Sequence, residues 1–278
     1  MASDKSQISF DPFNFCAIIH VSVVARIEII PMASSTLSPR GEEIARLSVR
    51  EVYDAMSTPY HPETSPSGFV NMGTAENYSM TADVSAFANR TLSTTAQTFT
   101  YGEGPWGSPR LRAAMARHMN RHFHPVKPVG AGDILFANGI TSICEMLGFV
   151  IGEPGDGILF SQPMYQAFPV DFGAKAKIKC VFAPFDGVDQ FSTDGVDKYE
   201  AALLDAEKSS TKIRALLVCH PHNPLGQCYP RRTLVALMEL CQKHNIHLLM
   251  DEVYVSTCRH LPSTQLMTFP GTLDLRCR

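Results

Sequence analysis

Ile246-His247-Leu248-Leu249-Met250-Asp251-Glu252-Val253-Tyr254 is the stretch on which the reading of this chain turns. The run from Ile246 to Met250 is short and largely apolar, the pattern of a strand buried on both faces. Asp251 comes directly after it. A carboxylate at the end of a buried strand can hold a fixed negative charge in a dry cleft.

Working back from Asp251, the same pattern recurs. Ile134 to Ala137, Gly157 to Ser161, Ile178 to Ala183 and Arg214 to Cys219 are predicted strands. Thr141 to Ile151, Tyr165 to Gly173, Val196 to Glu207 and Pro230 to His244 are predicted helices between them. In the last, Leu234, Leu237, Met238 and Cys241 stand at i, i+3, i+4 and i+7. Continuously apolar strands alternating with helices predict an α/β fold, a mostly parallel sheet with helices on both faces. A helical and irregular N-terminal segment precedes it. Ser38-Pro39 opens a helix running to Met56 and Ser108-Pro109 opens another, each with serine as cap and proline in the first turn. Thr81 to Asn89 reads as a short helix. Residues 57–80, rich in Pro, Ser, Gly and Asn, read as a long irregular segment.

The composition bounds the function. At 278 residues and 45% hydrophobic, the chain can build a large core in one or two domains. A net charge of −3, from 24 basic and 27 acidic residues, argues against nucleic acid or an anionic membrane as partner. No charge-free apolar run reaches the length of a membrane span. Eight scattered cysteines, with no C-x-x-C pair, read as reduced thiols of a cytoplasmic protein. Arg26 and Glu28 interrupt the apolar stretch in residues 12–31, so it reads as an extension and not a secretory signal. His118, His122 and His124 are interleaved with Arg117 and Arg121, which suits a solvated basic face better than a metal site. His220, His222 and Cys228, beside Pro221 and Pro224, read as turn residues. No metal site is predicted.

Open α/β sheets bind ligands outside the carboxyl ends of their strands, so the residues just past each strand matter most. After Ala137 comes Asn138-Gly139-Ile140-Thr141-Ser142, a tight turn into a helix whose first N–H groups suit a phosphate. After Ser161 comes Gln162-Pro163-Met164-Tyr165. After Cys219 comes His220-Pro221-His222-Asn223-Pro224-Leu225-Gly226, and after Met250 come Asp251 and Tyr254. Each has a plainer reading alone: Thr141 and Ser142 as caps, Tyr165 as core, Asn223 as a turn initiator. Together they offer an anion cradle, an aromatic face, an amide, a phenol and a carboxylate. A planar phosphorylated pyridine requires that set, the carboxylate keeping its ring nitrogen protonated.

These residues resemble the fold-type I pyridoxal-phosphate enzymes, in the class I/II aminotransferase family. The nearest branch is the aminocyclopropane-carboxylate synthase-like one. The resemblance runs from Gly68 to Tyr254. It includes the segment Gly68-Phe69-Val70-Asn71-Met72-Gly73-Thr74-Ala75-Glu76-Asn77 and the block from Tyr101 to Arg112. It implies that Ile140, Thr141 and Ser142 hold the phosphate of pyridoxal 5'-phosphate. Tyr165 stacks on the ring, Asn223 and Tyr254 donate to its phenolate, and Asp251 pairs with its nitrogen. Ala75 and Glu76 face the substrate, and Tyr101 lies in the block that reaches a neighbouring subunit's site.

The implied protein is a cytoplasmic homodimer with amino acid and keto acid substrates, an aminotransferase of biosynthesis or specialised metabolism. The alternative is a lyase, closing a ring on a sulfonium amino acid or cleaving a C–S bond, because Gly73-Thr74-Ala75-Glu76-Asn77 resembles the synthase branch. The family's Schiff-base lysine lies beyond the aspartate in a Ser-x-Ser-Lys pattern, yet no residue after Asp251 is a lysine. No catalytic residue is therefore assigned. The chain is expected to be a C-terminally truncated member, with a non-catalytic chain as a third reading. The expected organisation is a poorly ordered extension (1–37), a small-domain arm (38–100), a partial cofactor-binding domain (101–260) and an atypical tail (261–278).

Overall fold

Strand β1, Gly157–Ser161, is buried along its whole length and organises the rest. The computed structural model describes residues 36–46, 57–101 and 104–255. The expected extension up to residue 35, the continuation of the first helix to Met56, and the tail 261–278 lie outside the described residues.

The chain divides into two units, Met1–Ser48 and Val49–Arg278. Helix α1 (Pro39–Arg46) is the structured part described in the first. Ser38 caps it as expected, its Oγ accepting from Gly41 N at 3.1 Å. In the second unit, α2 (Thr81–Thr91) buries no side chain. Helix α3 (Pro109–Phe123) starts on Ser108, whose Oγ accepts from Leu111 N at 3.1 Å with Pro109 in the first turn. Next in order come α4 (Gly139–Ile151), β1, α5 (Phe168–Gly173), β2 (Lys179–Ala183), α6 (Asp194–Lys208), β3 (Ile213–Cys219), α7 (Arg231–His244) and β4 (His247–Asp251).

The four strands are parallel in the order β2-β1-β3-β4. Side chains alternate across each strand, so β1 and β3 feed two cores. On one face Leu159, Leu216 and Val218 meet Tyr199 and Leu203 of α6 and Leu234, Leu237 and Leu240 of α7. On the other, Ile158, Phe160, Ala215 and Leu217 meet Cys144 of α4 and Phe168 and Phe172 of α5. Fully burying each large apolar side chain is worth roughly 1.5–3 kcal/mol, which is why β1 and β3 carry no exposed side chain. The chain leaves β1 for β2 on one side and returns past it to β3 on the other. That reversal puts a crevice at the carboxyl ends of β1 and β3.

The mostly parallel, doubly covered sheet is the expected one, and most element ends agree within two residues. Three expectations fail. The run read as a strand buried on both faces is β4, a half-buried edge strand with His247 exposed. Ile134 to Ala137 is extended but is not a strand, since among the described residues it pairs with no other strand. Its Phe136 N bonds to Trp106 O at 3.1 Å. An apolar run becomes a strand only where a ladder partner satisfies its backbone. The contact is tight: Gly107 holds φ +90°, and a Cβ there would lie 2.9 Å from the Phe136 ring. Helix α5 begins at Phe168 instead of Tyr165, with Pro169 in its first turn, leaving Tyr165 on the loop above it. Among the described residues no helix is long and apolar enough to cross a membrane.

Candidate functional site

Strands β3 and β4 end in register, Cys219 opposite Asp251, and His220 N donates to the Asp251 carbonyl at 2.8 Å. The Asp251 carboxylate projects from this edge. Its Oδ1 accepts from Val253 N at 3.1 Å, and its Oδ2 accepts a weak bond from Cys219 Sγ at 3.4 Å. A carboxylate offers about four acceptor positions, so these two donors leave it capacity for more. Burial, and then the charge of Asp251, push the Cys219 thiol up to about 12. The same two causes, in the same order, raise Glu252 to about 7.

Cys219 also ties Asn223 to this edge, its Sγ accepting from Asn223 N at 3.4 Å. The turn closes behind it through Gly226 N to His222 O at 2.7 Å and His222 N to Gln227 O at 2.8 Å. Gly226 takes φ +63°, a conformation glycine adopts without strain.

Across the crevice, Gly139 enters α4 at φ +80° and Asn138 supplies no side-chain cap. The N–H groups of Ile140 and Thr141 belong to a first turn that has no intrahelical acceptor for them, and Ser142 follows them at the first intrahelical bond. They stand at the positive end of the helix dipole. The Ser142 hydroxyl itself donates back to Asn138 O at 3.1 Å. One turn on, the Cys144 thiol is pushed up to about 12 by burial, then by the charges of Asp171 and Asp251. Tyr165 is raised by burial first, then by Asp171, Tyr254, Asp251 and Cys144. These mutual influences place Tyr165, Tyr254, Asp251 and the start of α4 in one neighbourhood. Tyr165 rests edge-on against Phe168, ring centroids 5.2 Å apart.

The structure thus gathers Thr141, Tyr165, Asn223, Asp251 and Tyr254 on one rim, with Ile140 and Ser142 flanking Thr141. Ala75, Glu76 and Tyr101 lie on exposed segments. Glu76 bonds locally, to Thr74 O through its backbone and to the Tyr78 hydroxyl through its carboxylate. Tyr101 stands free in solvent at 104% relative exposure.

Several residues of this region are not legible from sequence. His220 and His222, read as turn residues, are buried at that turn, each 2% exposed. His222 Nδ1 accepts from Leu225 N at 3.4 Å, so its Nε2 carries the proton and donates to Ser161 Oγ at 3.0 Å. The Ser161 hydroxyl donates in turn to Pro163 O at 3.1 Å, which pins the β1 exit to the Asn223 turn. Nothing local signals a pair 61 residues apart. Asp171, buried in α5, carries a signal: a lone acid between Phe168 and Phe172.

Burial lowers His222 from 6.5 to about 4. Between those values the unfolded chain binds the extra proton, so stability rises with pH across the window and is lost as pH falls through it. The expected loss on acidification is up to about 3 kcal/mol, read from urea unfolding at pH 6.5 and pH 4. A His222→Gln variant, which cannot titrate, is expected to lose that share of the pH dependence.

An open cleft of about 620 Å³ along α3, lined by Arg117, His118, Asn120, Arg121 and His122, shares no residue with the rim. His118 and His122 are exposed there, as a solvated basic face requires. Among the described residues no cluster of His, Cys, Asp or Glu is placed to hold a metal ion.

A family described as "Aminotransferase class I and II" matches residues 67–271. The probable aminotransferase tcpI of Claviceps purpurea (strain 20.1) is 32% identical over 201 residues, 70% of this chain and 46% of that one. The probable inactive 1-aminocyclopropane-1-carboxylate synthase-like protein 2 of Mus musculus is 28% identical over 234 residues, 81% of this chain and 40% of that one. Among solved structures, an aminotransferase from Mycobacterium tuberculosis matches with a TM-score of 0.55 at 18% identity, covering 80% of this chain and 53% of that one. That likeness is one of fold. The chain spans about half the length of the curated relatives it matches.

Proposed function

Since this chain belongs to the class I and II aminotransferases, a family of pyridoxal-phosphate enzymes, we propose that its rim binds that cofactor and that the protein moves an amino group between an amino acid and a keto acid. The observation that carries the reading is the convergence of Asp251, Tyr165, Tyr254 and the Asn223 turn at the carboxyl edge of one parallel sheet.

The donors and acceptors present fit the cofactor. Asp251, with acceptor capacity to spare, would keep the ring nitrogen protonated. Tyr165 would cover the ring face, backed by Phe168. Asn223 and Tyr254 would donate to the phenolate oxygen. The N–H groups of Ile140, Thr141 and Ser142 would hold the phosphate at a helix N-terminus. When bound, the cofactor supplies an electron sink for negative charge at the substrate Cα. The residues of this rim bind it, orient it and fix its charge. The lysine that the family places after the aspartate is not assigned, because no residue beyond Asp251 in this sequence is a lysine.

On this reading Ala75 and Glu76 face the substrate, and the exposed Tyr101 reaches the site of a second subunit in a homodimer. Residues 38–100 form an arm and residues 101–260 belong to the cofactor-binding domain. The setting is cytoplasmic, in biosynthesis or specialised metabolism. A lyase is the second reading. The likeness to a synthase-like relative favours it. A non-catalytic chain is the third, since that relative's own name marks it as probably inactive.

One experiment separates these. The protein is dialysed against pyridoxal phosphate, then given a panel of amino acids with and without a keto acid acceptor. New keto acid that depends on the acceptor supports amino transfer. Product without acceptor supports the lyase. Saturable cofactor binding without product leaves a binding chain, and no saturable binding overturns the cofactor reading.

A further inference from the structure

Ser161 ends β1, and His222 lies just past the end of the neighbouring strand β3. Both are buried, at 6% and 2% exposure. His222 Nε2 lies 3.0 Å from Ser161 Oγ, and the Ser161 hydroxyl donates to Pro163 O at 3.1 Å. Burial holds His222 neutral near pH 7, so it has one N–H to give. That N–H goes to Ser161, because Leu225 N donates to Nδ1 at 3.4 Å. A directed chain of hydrogen bonds thus runs from the Asn223 turn through His222 and Ser161 into the loop that carries Tyr165. The Phe191 ring packs edge-on against the His222 ring, centroids 5.7 Å apart, and holds its plane.

The two ends of this chain are anchored differently. On the loop side Tyr165 rests on Phe168, and Phe168 N reaches Tyr165 O at 3.4 Å. Phe168 sits in the core at 1% exposure, so this anchor does not run through His222. On the other side, Gly226 N to His222 O and His222 N to Gln227 O shape the turn from within. Asn223 N meets Cys219 through a long bond to sulfur, and Pro224 to Gln227 are exposed. The His222 side chain ties this turn across to the β1 exit. Without it Tyr165 keeps its place while the turn can shift, and Asn223 is the adjoining residue.

We propose that Ser161 and His222 are a pair of positioning residues: their buried hydrogen bond sets the spacing between the Tyr165 loop and the Asn223 turn, and so aims the Asn223 amide at the edge of a ring lying against Tyr165. That the ring is pyridoxal phosphate, with its phenolate oxygen at that edge, rests on the function proposed above. The pair acts through Asn223.

The test is equilibrium dialysis at pH 7.5 with pyridoxal phosphate and with an analogue carrying hydrogen in place of the phenolate oxygen. His222→Leu removes the N–H and keeps an apolar side chain in the core. It is expected to weaken pyridoxal phosphate binding about tenfold, the worth of one hydrogen bond to a charged group. Ser161→Ala cuts the same chain from the other side and is expected to do likewise, which keeps the test open should H222L not fold. His222→Gln is expected to bind nearly as wild type, because its amide can donate where Nε2 does. The analogue offers Asn223 no acceptor and is expected to bind wild type and all three variants equally. In an Asn223→Ala background, H222L is expected to cost nothing further.

If wild type binds pyridoxal phosphate and both H222L and S161A bind it as tightly, the positioning role is overturned while the cofactor reading stands. Equal losses for cofactor and analogue would mark a merely structural role and overturn it too. So would a further loss from H222L in the N223A background. Failure of wild type to bind removes the cofactor reading and this inference with it.

Discussion

Asp251→Asn is expected to weaken pyridoxal phosphate binding by roughly 10²- to 10³-fold, measured by equilibrium dialysis at pH 7.5. Removing one partner of a buried ion pair costs about 3–5 kcal/mol, because the other charge is left uncompensated. Here that other charge is the protonated ring nitrogen. The substitution is mild for the fold. An asparagine keeps an oxygen for the Val253 N–H, and the β3–β4 register depends on backbone bonds. A carbocyclic analogue, with carbon in place of the ring nitrogen, isolates the effect. It is expected to bind wild type and D251N equally. Equal affinity of the two proteins for pyridoxal phosphate itself would remove Asp251 from the site. Loss of the charge also relaxes its neighbours. Glu252, raised by burial and then by Asp251, moves back toward 4.5. A raised carboxyl favours the folded state at low pH, and that contribution is lost as pH rises from 4.5 through about 7. D251N is therefore expected to narrow this window from above.

Much of this architecture is readable in the sequence because the helices cover both sheet faces. β1 and β3 have no solvent face, so they appear as largely apolar runs with sharp ends, Arg214 being the one charge in β3. The capping serines Ser38 and Ser108 are readable for a local reason, each standing just before a proline in the first turn. Strand order is not readable, because it depends on contacts between distant segments. The rim nevertheless is, since in any parallel sheet all strands deliver their trailing loops to one edge.

The features that sequence hides are non-local. Ile134 to Ala137 has the composition of a strand, and only the fold reveals that it pairs with none among the described residues. Ser161 and His222 form a buried pair across two strand ends, and His222 alone looks like part of a proline-flanked turn. Asp171 shows in the sequence only as a lone acid between Phe168 and Phe172, and a single acid on a short helix is ordinarily solvated. Its burial depends on the packing of α5 against α4 and β2. The start of α5 reads three residues too early although Pro169 marks it, because Tyr165 extends the apolar period by one turn.

The second large effect is expected from Phe160→Ala. Phe160 is 1% exposed at the centre of the sheet. It stacks on Phe168 at 5.6 Å and meets Phe172 at 6.1 Å and Phe182 at 6.4 Å. Truncating a buried phenylalanine costs about 3–5 kcal/mol, because a cavity remains where close packing was. Against a total of roughly 5–15 kcal/mol that is a large share, and a drop in Tm of about 10 °C is expected at this chain length. Phe149→Ala, at a site 60% exposed on α4, is expected to move stability by no more than about 0.5 kcal/mol. The two faces of the sheet then separate stability from site. Phe160 supports Phe168, and Phe168 supports Tyr165 edge-on. Leu237, fully buried on the opposite face, supports neither. Leu237→Ala is expected to cost a comparable amount, about 2–5 kcal/mol, yet leave cofactor affinity unchanged at a temperature where both variants are folded. F160A is expected to lower that affinity as well, since the aromatic platform loses its backing. Equal cofactor affinity in the two variants would mean that Tyr165 does not depend on this aromatic stack for its position.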